Sequence, residues 1–236
     1  MNEATREKLV GVSVATLATA LFKRGLRNQV IQGVHPVGQK GRNMVGPAYT
    51  LRYIPAREDR NQLTEFRNPA HPQRVAIEEC PPGHVLVMDS RKQAQAASAG
   101  DILVTRLMMR GGAGIVTDGG FRDAAVIAQL DMPAYHTRPS SPTNLTNNEA
   151  IALNEPIGCG DAPVFPGDII VGDDDCVIVI PSEIADEVAD EAVEMTAYED
   201  FVVEQVKNGA SIIGLYPGTK DEHRVAFEAW RAKTGR

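Results

Sequence analysis

The stretch GDILVTRLMMRGGAGIVTDGGFRD, residues 100–123, carries the change from a helix to a buried strand that decides the fold class. Residues 94–110 are predicted to form a helix that ends at Gly111-Gly112. The short apolar run Gly114–Asp118 predicts a strand, and 124–130 and 132–136 predict a further helix and strand. Such alternation is typical of parallel strands with helices packed on the faces of the sheet.

The segments on either side extend this pattern into one mixed α/β domain, residues 1–236. Upstream, 12–24 has helical spacing behind the N-cap candidate Ser13, and strands are expected at 30–35, 45–54 and 83–88. Downstream, short strands with polar turns predict antiparallel pairs at 155–164, 168–171 and 176–180. A long helix over 183–207, whose apolar positions include Val206, and a charged helix around Trp230 complete the chain. Phe22 is expected on the apolar face of the 12–24 helix. The charged segment 57–72 has no clear period and is expected to be a loop or lid.

Composition excludes several classes of protein. The net charge of −7 argues against nucleic acid as a partner, because phosphate binding needs a basic surface. No apolar run is long enough to span a membrane, and no secretion signal is visible, so a cytoplasmic location is expected. Cys80, Cys159 and Cys176 are widely spaced and odd in number, which favours reduced thiols.

Three charged residues of the opening stretch form a candidate active site. Asp101 lies near a helix start, where unpaired backbone N–H groups bind carboxylates. Arg122 and Asp123 follow two glycines after the strand, at the edge where α/β sheets bind ligands. Asp101 and Asp123 could flank Mg²⁺ or Mn²⁺, and Arg122 could hold a keto oxygen or an enolate. Such a site would stabilise the negative charge that develops when a 2-keto acid is cleaved.

The same residues also have structural interpretations. Asp101 and Asp123 could each cap a helix, which is a common role for aspartate. Arg122 could be a solvated surface residue or a partner of Asp118. Spacing alone leaves both interpretations open, because short motifs often match by chance.

The chain resembles the RraA-like family, which includes class II pyruvate aldolases acting on 4-hydroxy-4-methyl-2-oxoglutarate and 4-carboxy-4-hydroxy-2-oxoadipate. The resemblance covers residues 13–216 and leaves 217–236 as a C-terminal tail. It rests on MVGPAYTLR (44–52), PPGHVLVMD (81–89), the Gly-Asp pair with RGGAGIVTDGGFRD (110–123), and FPGDIIVGDDDCVIVIP (165–181). It implies an αββαβ-type sandwich with an N-terminal helix and a C-terminal helical extension. It also implies homotrimers or homohexamers with the site at the subunit interface.

The resemblance assigns a role to each site residue. Asp123 would bind the metal directly, and Asp101 would contact it through a water. Backbone amides at Gly100, Ile102 and Leu103 would take the carboxylate of the substrate, and Arg122 would hold its keto oxygen. Glu199 from a neighbouring subunit is expected to complete the site; its alternative interpretation is an exposed helix residue.

The resemblance implies a metal-dependent lyase, an aldolase or oxaloacetate decarboxylase, that acts on a 2-keto acid through a pyruvate enolate. Family members that lack the first aspartate are ribonuclease inhibitors, so Asp101 favours the enzymatic branch. Val126 stands where the aldolases carry an acidic residue, and segment 57–72 is longer than in compact members. These departures keep two alternatives open, which are hydrolysis or dehydration of a sugar-derived keto acid and a non-catalytic protein-binding ring.

Overall fold

The computed structural model describes residues 1–236 and contains seven α-helices and fourteen strands. The helices are α1 (Glu3–Val10), α2 (Val14–Lys23), α3 (Pro72–Glu79), α4 (Asp101–Met109), α5 (Ala124–Ile127), α6 (Ala185–Lys207) and α7 (Asp221–Thr234). The strands are β1 (Val30–Ile31), β2 (His35–Pro36), β3 (Met44–Pro55), β4 (Val85–Asp89), β5 (Ala97–Ala99), β6 (Gly114–Thr117), β7 (Gly120–Phe121), β8 (Ala134–His136), β9 (Arg138–Pro139), β10 (Asn148–Leu153), β11 (Ile157–Cys159), β12 (Ala162–Val164), β13 (Ile169–Gly172) and β14 (Val177–Ile180). None of the helices is long and apolar enough to cross a membrane.

The main sheet is mixed, and the long strand β3 joins its two halves. Its order is β1-β14-β13-β3-β4-β6-β8-β2, with β10 also paired to β3. Strands β3, β4, β6 and β8 run parallel, whereas β13 and β14 pair antiparallel with each other and β13 with β3. The parallel half and the antiparallel half were both expected from the sequence, since buried strands there alternate with helices or with polar turns.

Apolar side chains cover both faces of this sheet. On one face, α3, α4 and α5 pack against the parallel strands, and α1, α2 and α6 pack against the antiparallel strands. On the other face, β1, β11 and β12 pack against both sets of strands. Strands β4 and β6 are buried along their whole apolar length, which is why they appear in the sequence as continuous apolar runs. A small parallel sheet, β5-β7-β9, lies beside the main one and carries the segments of interest.

The N-terminal helix begins where the sequence predicts. The Ser13 side chain accepts the Thr16 amide at 3.1 Å, which caps α2. The preceding helix α1 was not expected; its signal is Asn2, whose side chain accepts the Thr5 amide at 2.8 Å. Phe22, expected on the apolar face of α2, is 60% exposed, so that prediction was wrong.

Several boundaries differ from the prediction, each for a local reason. The strand expected at 30–35 is broken into β1 and β2, because Gly33 takes a left-handed conformation with φ of +75°. The helix expected at 124–130 has its α-helical part limited to α5, and the strand expected at 132–136 begins at Ala134. On α6, Val206 was expected on the buried face but is 40% exposed. The segment IIGLY, residues 212–216, for which the sequence allowed a strand or a turn, forms turns.

The most consequential correction concerns the helix expected over residues 94–110. It begins only at Asp101, because Ala97–Ala99 forms strand β5 and pairs with β7. The Ser98 hydroxyl lies 2.7 Å from those of Ser90 and Thr117, and this buried network holds the extended backbone against the main sheet.

Candidate active site

The small sheet brings the two halves of the predicted motif together. The amide of Arg122 donates to the carbonyl of Ala99 at 3.0 Å, one residue beyond the pairing of β5 with β7. Gly100-Asp101 and Arg122-Asp123 are therefore neighbours in space, although twenty residues separate Asp101 from Arg122 in the chain.

The lack of a side chain at Gly100 allows Arg122 and Asp123 to approach the backbone closely at the start of α4. A Cβ atom at this position would lie 2.7 Å from Cγ of Arg122 and 3.1 Å from Oδ2 of Asp123. Its φ of −128° is one that any residue adopts, so glycine is needed here for space and not for conformation. The side chains of Arg122 and Asp123 thus lie directly over the start of α4.

Of the three amides expected to bind a carboxylate at the start of α4, that of Ile102 is already bonded within the chain. Asp101 is the first helical residue, and its carboxylate accepts the amide of Ile102 at 2.8 Å. The first helical hydrogen bond is made by Val104, to the carbonyl of Gly100, so the amide of Leu103 has no partner in the chain. The Leu103 amide is therefore open to a ligand, as is the amide of Gly100, which also makes no hydrogen bond within the chain.

Asp123 does not cap the helix that follows it. Its backbone is left-handed, with φ of +55°, and its side chain makes no capping hydrogen bond to α5. The carboxylate instead faces Arg122, whose Nε lies 3.2 Å from Oδ2. A left-handed conformation is uncommon outside glycine and is more readily adopted by aspartate, and such positions often mark functional sites.

Asp118 is not the partner of Arg122. It is buried, and its carboxylate accepts the backbone amides of Ser90, Lys92 and Gly160. Burial raises the pKa of Asp118, against the effect of these three hydrogen bonds. Its carboxylate therefore holds together the backbone of the loops at the ends of the parallel strands.

The residue before Arg122 is anchored by a neutral histidine. The amide of buried Phe121 donates to Nδ1 of His136 at 3.3 Å, and the two rings stack with centroids 5.5 Å apart. Burial, with a smaller effect from His35, lowers the pKa of His136 to about 4, which keeps this nitrogen an acceptor at neutral pH.

A cavity of about 180 Å³ is lined by all of the predicted site residues except Glu199, and by several others. Gly100, Asp101, Ile102, Leu103, Arg122 and Asp123 line it, together with residues that sequence reasoning missed: Phe66, Gln73, Arg74, Ala97, Ala99, Thr143 and Asn144. The missed residues come from loops 57–72 and 139–148, from α3 and, for Ala97 and Ala99, from β5. Their signal was the length of those loops, since long loops are often functional.

The donor set fits a hard divalent cation held by few protein ligands. Asp101 and Asp123 share the cavity wall, and no group of three or more His, Cys, Asp or Glu side chains converges anywhere in the chain. Mg²⁺ is commonly bound through one or two carboxylates, with water and substrate oxygens completing its coordination. Two carboxylates beside an arginine are consistent with such a cation and an anionic substrate.

Glu199 lies outside the cavity of its own chain. Its carboxylate accepts the hydroxyl of Thr16 at 2.9 Å and that of Tyr216 at 3.2 Å. It is neither a freely exposed helix residue nor part of the site within one subunit. Its contribution to a neighbouring subunit stays a prediction.

Two charged residues outside the proposed site, Asp173 and Arg106, have structural partners. The carboxylate of Asp173 accepts three backbone amides in the turn before β14 and at the start of α2, which supports a structural turn. Arg106 makes a two-pronged contact with Glu78 on the surface. Val126, at the position where an acidic residue was expected, is half exposed on α5 and does not line the cavity.

Comparison with known proteins agrees with the sequence motifs. The sequence profile of the family described as RraA-like (Aldolase/RraA) matches residues 14–179. A Halalkalibacterium halodurans protein named "Putative 4-hydroxy-4-methyl-2-oxoglutarate aldolase" is 32% identical over 145 residues, which cover 60% of this chain and 67% of that protein. Protein DlpA of Legionella pneumophila is 27% identical over 87% of this chain, but the match spans about a third of its length, 32%.

Solved structures give the same fold. Streptomyces coelicolor RraAS2, described as an unusual member of the RNase ES inhibitor RraA protein family, superposes with a TM-score of 0.75 at 31% identity. The match covers 85% of this chain and 96% of RraAS2. An uncharacterised Pseudomonas syringae protein gives a TM-score of 0.77 at 21% identity, covering 92% of this chain and 98% of that one, which supports the fold alone. These neighbours confirm the predicted α/β fold class, and the chain belongs to the RraA-like family, described as Aldolase/RraA.

Proposed function

We propose that this chain is a divalent-metal-dependent carbon–carbon lyase, an aldolase or decarboxylase, acting on a 2-keto acid. The observation that carries the proposal is the meeting of Asp101, Arg122 and Asp123 on one cavity at the start of a helix. The two carboxylates suit a hard cation, while the guanidinium and the helix start suit an anionic substrate. Aldolase names among the relatives support the same class of reaction.

The start of α4 and Arg122 would hold the pyruvate half of the substrate. The open amide of Leu103 would donate to the substrate carboxylate, which the positive end of the helix also favours. The guanidinium of Arg122 would donate to the keto oxygen, where negative charge develops as the bond breaks. Gly100 leaves the space that this placement of Arg122 requires.

The carboxylates would serve the cation and the proton transfer. Mg²⁺ or Mn²⁺, held by Asp123 and through water by Asp101, would supply positive charge beside the keto oxygen as a Lewis acid. In the aldolase reaction the C4 hydroxyl would lose its proton, through a water, to the carboxylate of Asp101 as the C3–C4 bond breaks. The bond's electron pair passes to the pyruvate half as an enolate, and protonation at C3 gives pyruvate. In decarboxylation, CO₂ leaves in place of the carbonyl product.

The test uses a variant that preserves the left-handed backbone at the site. Asp123→Asn keeps the shape of the side chain, and asparagine tolerates this conformation as aspartate does. We expect the variant to lose Mg²⁺-dependent pyruvate release from 4-hydroxy-4-methyl-2-oxoglutarate or oxaloacetate, and also to lose Mn²⁺ binding measured by electron paramagnetic resonance. Asp161→Asn is the matched control, because Asp161 is also left-handed, with φ of +67°, and lies outside the cavity.

Two results would contradict the proposal. One is full pyruvate release by the wild-type protein in excess chelator, which would exclude the metal. The other is an Asp123→Asn variant that binds Mn²⁺ and releases pyruvate as well as the Asp161→Asn control does.

A second candidate, a non-catalytic ring that binds a ribonuclease, is favoured by the 31% identity to RraAS2, which is described as belonging to the RNase ES inhibitor family. The two candidate functions predict different effects of replacing Asp101. Asp101→Asn should abolish pyruvate release by a lyase, whereas an inhibitor should slow RNA cleavage by RNase ES with or without Asp101. The absence of any effect of the protein on that cleavage would eliminate the second candidate.

A further inference from the structure

Segment 57–70, between β3 and α3, contributes to the cavity wall but has few contacts with the rest of the chain. None of its residues is buried, and each of its hydrogen bonds has its partner between residues 57 and 71. The ion pair that joins Arg60 to Glu149 on β10 is 3.8 Å long, and Arg60 is exposed. A segment with so few buried contacts is expected to open locally at low cost in free energy.

The two ends of this segment are held in place. The amide of Ala56 donates to the carbonyl of Asn147 at 3.0 Å, and the carbonyl of His71 accepts the amides of Arg74 and Val75 at 2.8 and 3.1 Å. These bonds extend the pairing of β3 with β10 at one end and begin α3 at the other. Residues 57–70 can therefore move while the elements on either side stay in position.

Phe66 is the side chain that joins the middle of the segment to the body of the protein. It is half-buried, and its ring meets that of buried His71 edge-on, with centroids 5.3 Å apart. The guanidinium carbon of Arg74 lies 4.6 Å from the centroid of the same ring. Phe66 also lines the cavity that contains Arg122 and Asp123. One aromatic side chain thus both holds the segment in place and forms part of the wall of the candidate active site.

Polar atoms without partners are concentrated around Phe66. Nδ1 of His71, Oε1 of Gln73 and Nδ2 of Asn144 make no hydrogen bond within the chain, although all three residues are buried. His71 contacts the Phe66 ring, and Gln73 and Asn144 line the cavity with it. A buried polar atom without a partner lowers stability, so the closed arrangement is less favourable than one in which water or a ligand reaches these atoms.

We propose that residues 57–70 form a lid that opens and closes over the cavity, and that Phe66 is the contact that holds the lid closed. A ligand in the cavity touches Phe66 only when the lid is closed, so ligand binding favours the closed state. Lids of this kind exclude water from a reaction centre and open for product release. In a lyase, closure would keep bulk water from the enolate while the other product leaves. That last role rests on the proposed function, whereas the opening of the lid in the free protein does not.

Hydrogen–deuterium exchange, measured by mass spectrometry on the amides of residues 57–70, tests the lid directly. Phe66→Ala should speed this exchange by about five- to thirty-fold, because it removes one aromatic pair and one cation–π contact. The ligand is 2-oxopentanoate with Mg²⁺, a 2-keto acid that lacks the 4-hydroxyl group needed for aldol cleavage. At saturation it should slow the exchange of the lid in the wild-type protein, and this slowing should be lost in Phe66→Ala.

Leu63→Ala is the matched control. Leu63 belongs to the same short helical turn, Leu63–Arg67, but is 73% exposed and does not line the cavity. Its replacement should leave the exchange of the lid at the wild-type rate, with and without the ligand. Exchange in β4 and β6, which are buried in the main sheet, reports on global unfolding and should be the same in both variants.

Three results would overturn the inference. One is exchange over residues 57–70 that is no faster in Phe66→Ala than in Leu63→Ala. Another is faster exchange of Phe66→Ala in β4 and β6 to the same extent, since Phe66 would then stabilise the whole fold. The third is unchanged exchange of the lid when calorimetry shows that 2-oxopentanoate is bound. A protein with Phe66-dependent opening that neither binds 2-oxopentanoate nor releases pyruvate would contradict the lyase proposal and leave the lid standing.

Discussion

Replacing Gly100 by alanine tests whether the position of Arg122 controls activity. The added Cβ would lie 2.7 Å from Cγ and 3.1 Å from Cδ of Arg122. Ordinary carbon–carbon contact is at about 3.5–4.0 Å, so the Arg122 side chain must move by roughly 1 Å. Its backbone has little freedom to follow, because its amide is bonded to Ala99. Oδ2 of Asp123, also 3.1 Å from the new atom, must shift by a smaller distance.

A shift of this size should reduce catalysis with little effect on folding. Misplacing a catalytic group by 1 Å costs about a hundred-fold in rate, which corresponds to about 2.7 kcal/mol of transition-state stabilisation. The extended backbone at Gly100 accepts alanine, and the smaller entropy of the unfolded chain contributes about 0.4–1 kcal/mol in favour of the variant. We therefore expect kcat/KM for pyruvate release to fall about a hundred-fold while the melting temperature stays within a few degrees.

Gly158→Ala is the matched control. Gly158 is exposed on β11, its φ is not positive, and a Cβ there would meet no atom within 4 Å. Both variants are compared by a coupled assay for pyruvate and by thermal unfolding. If Gly100→Ala, folded as judged by its melting curve, turned over as fast as Gly158→Ala, the assignment of Arg122 to the reaction centre would be refuted.

Two further predictions concern stability. Asp173→Ala should lower the free energy of unfolding, measured by urea denaturation, by about 2 kcal/mol. The reason is that three backbone amides, including that of Val14 at 2.8 Å, would lose their acceptor. The control Asp174→Ala, at an exposed position, should change the free energy of unfolding by less than about 0.5 kcal/mol. Burial lowers the pKa of His136 to about 4, below the value of about 6.5 in the unfolded chain, so the unfolded state binds the proton first. The contribution of neutral His136 to the free energy of unfolding is therefore fully present above pH 6.5 and decreases by up to about 3 kcal/mol as the pH falls to 4, with loss of the Phe121 hydrogen bond. A His136→Gln variant whose stability depends on pH as steeply as the wild type between pH 4 and 6.5 would contradict this reasoning.

The buried strands could be predicted from the sequence because their signal is local. Val85–Asp89 and Gly114–Thr117 are apolar runs between turns, and a strand covered on both faces needs no other pattern. Arg122 and Asp123 could be selected because they follow such a strand after two glycines, and Asp101 because it lies near a helix start. Arg74 and Asn144 could not, since they lie on segments that contact the cavity only after the chain has folded.

The error over residues 94–100 has a physical reason. Alanine is the strongest helix former, so an alanine-rich segment before a helix appears to belong to it. The extended form is chosen by tertiary contacts, namely the pairing of β5 with β7 and the hydroxyl network around Ser98. These partners are distant in sequence, and no local propensity contains them.

That same break in the helix creates the candidate active site. In a helix over 94–110, the amides of Ile102 and Leu103 would donate to the carbonyls of Ser98 and Ala99, four residues earlier. Because the segment is a strand, the carbonyl of Ala99 instead accepts the amide of Arg122, and that of Ser98 accepts the side chain of Gln73. One conformational choice thus opens the start of α4 to a ligand, places Arg122 beside it, and holds α3 against the cavity floor. Small side chains at 97–100 are what permit these contacts, so the composition that suggested a helix is also the one that the site requires.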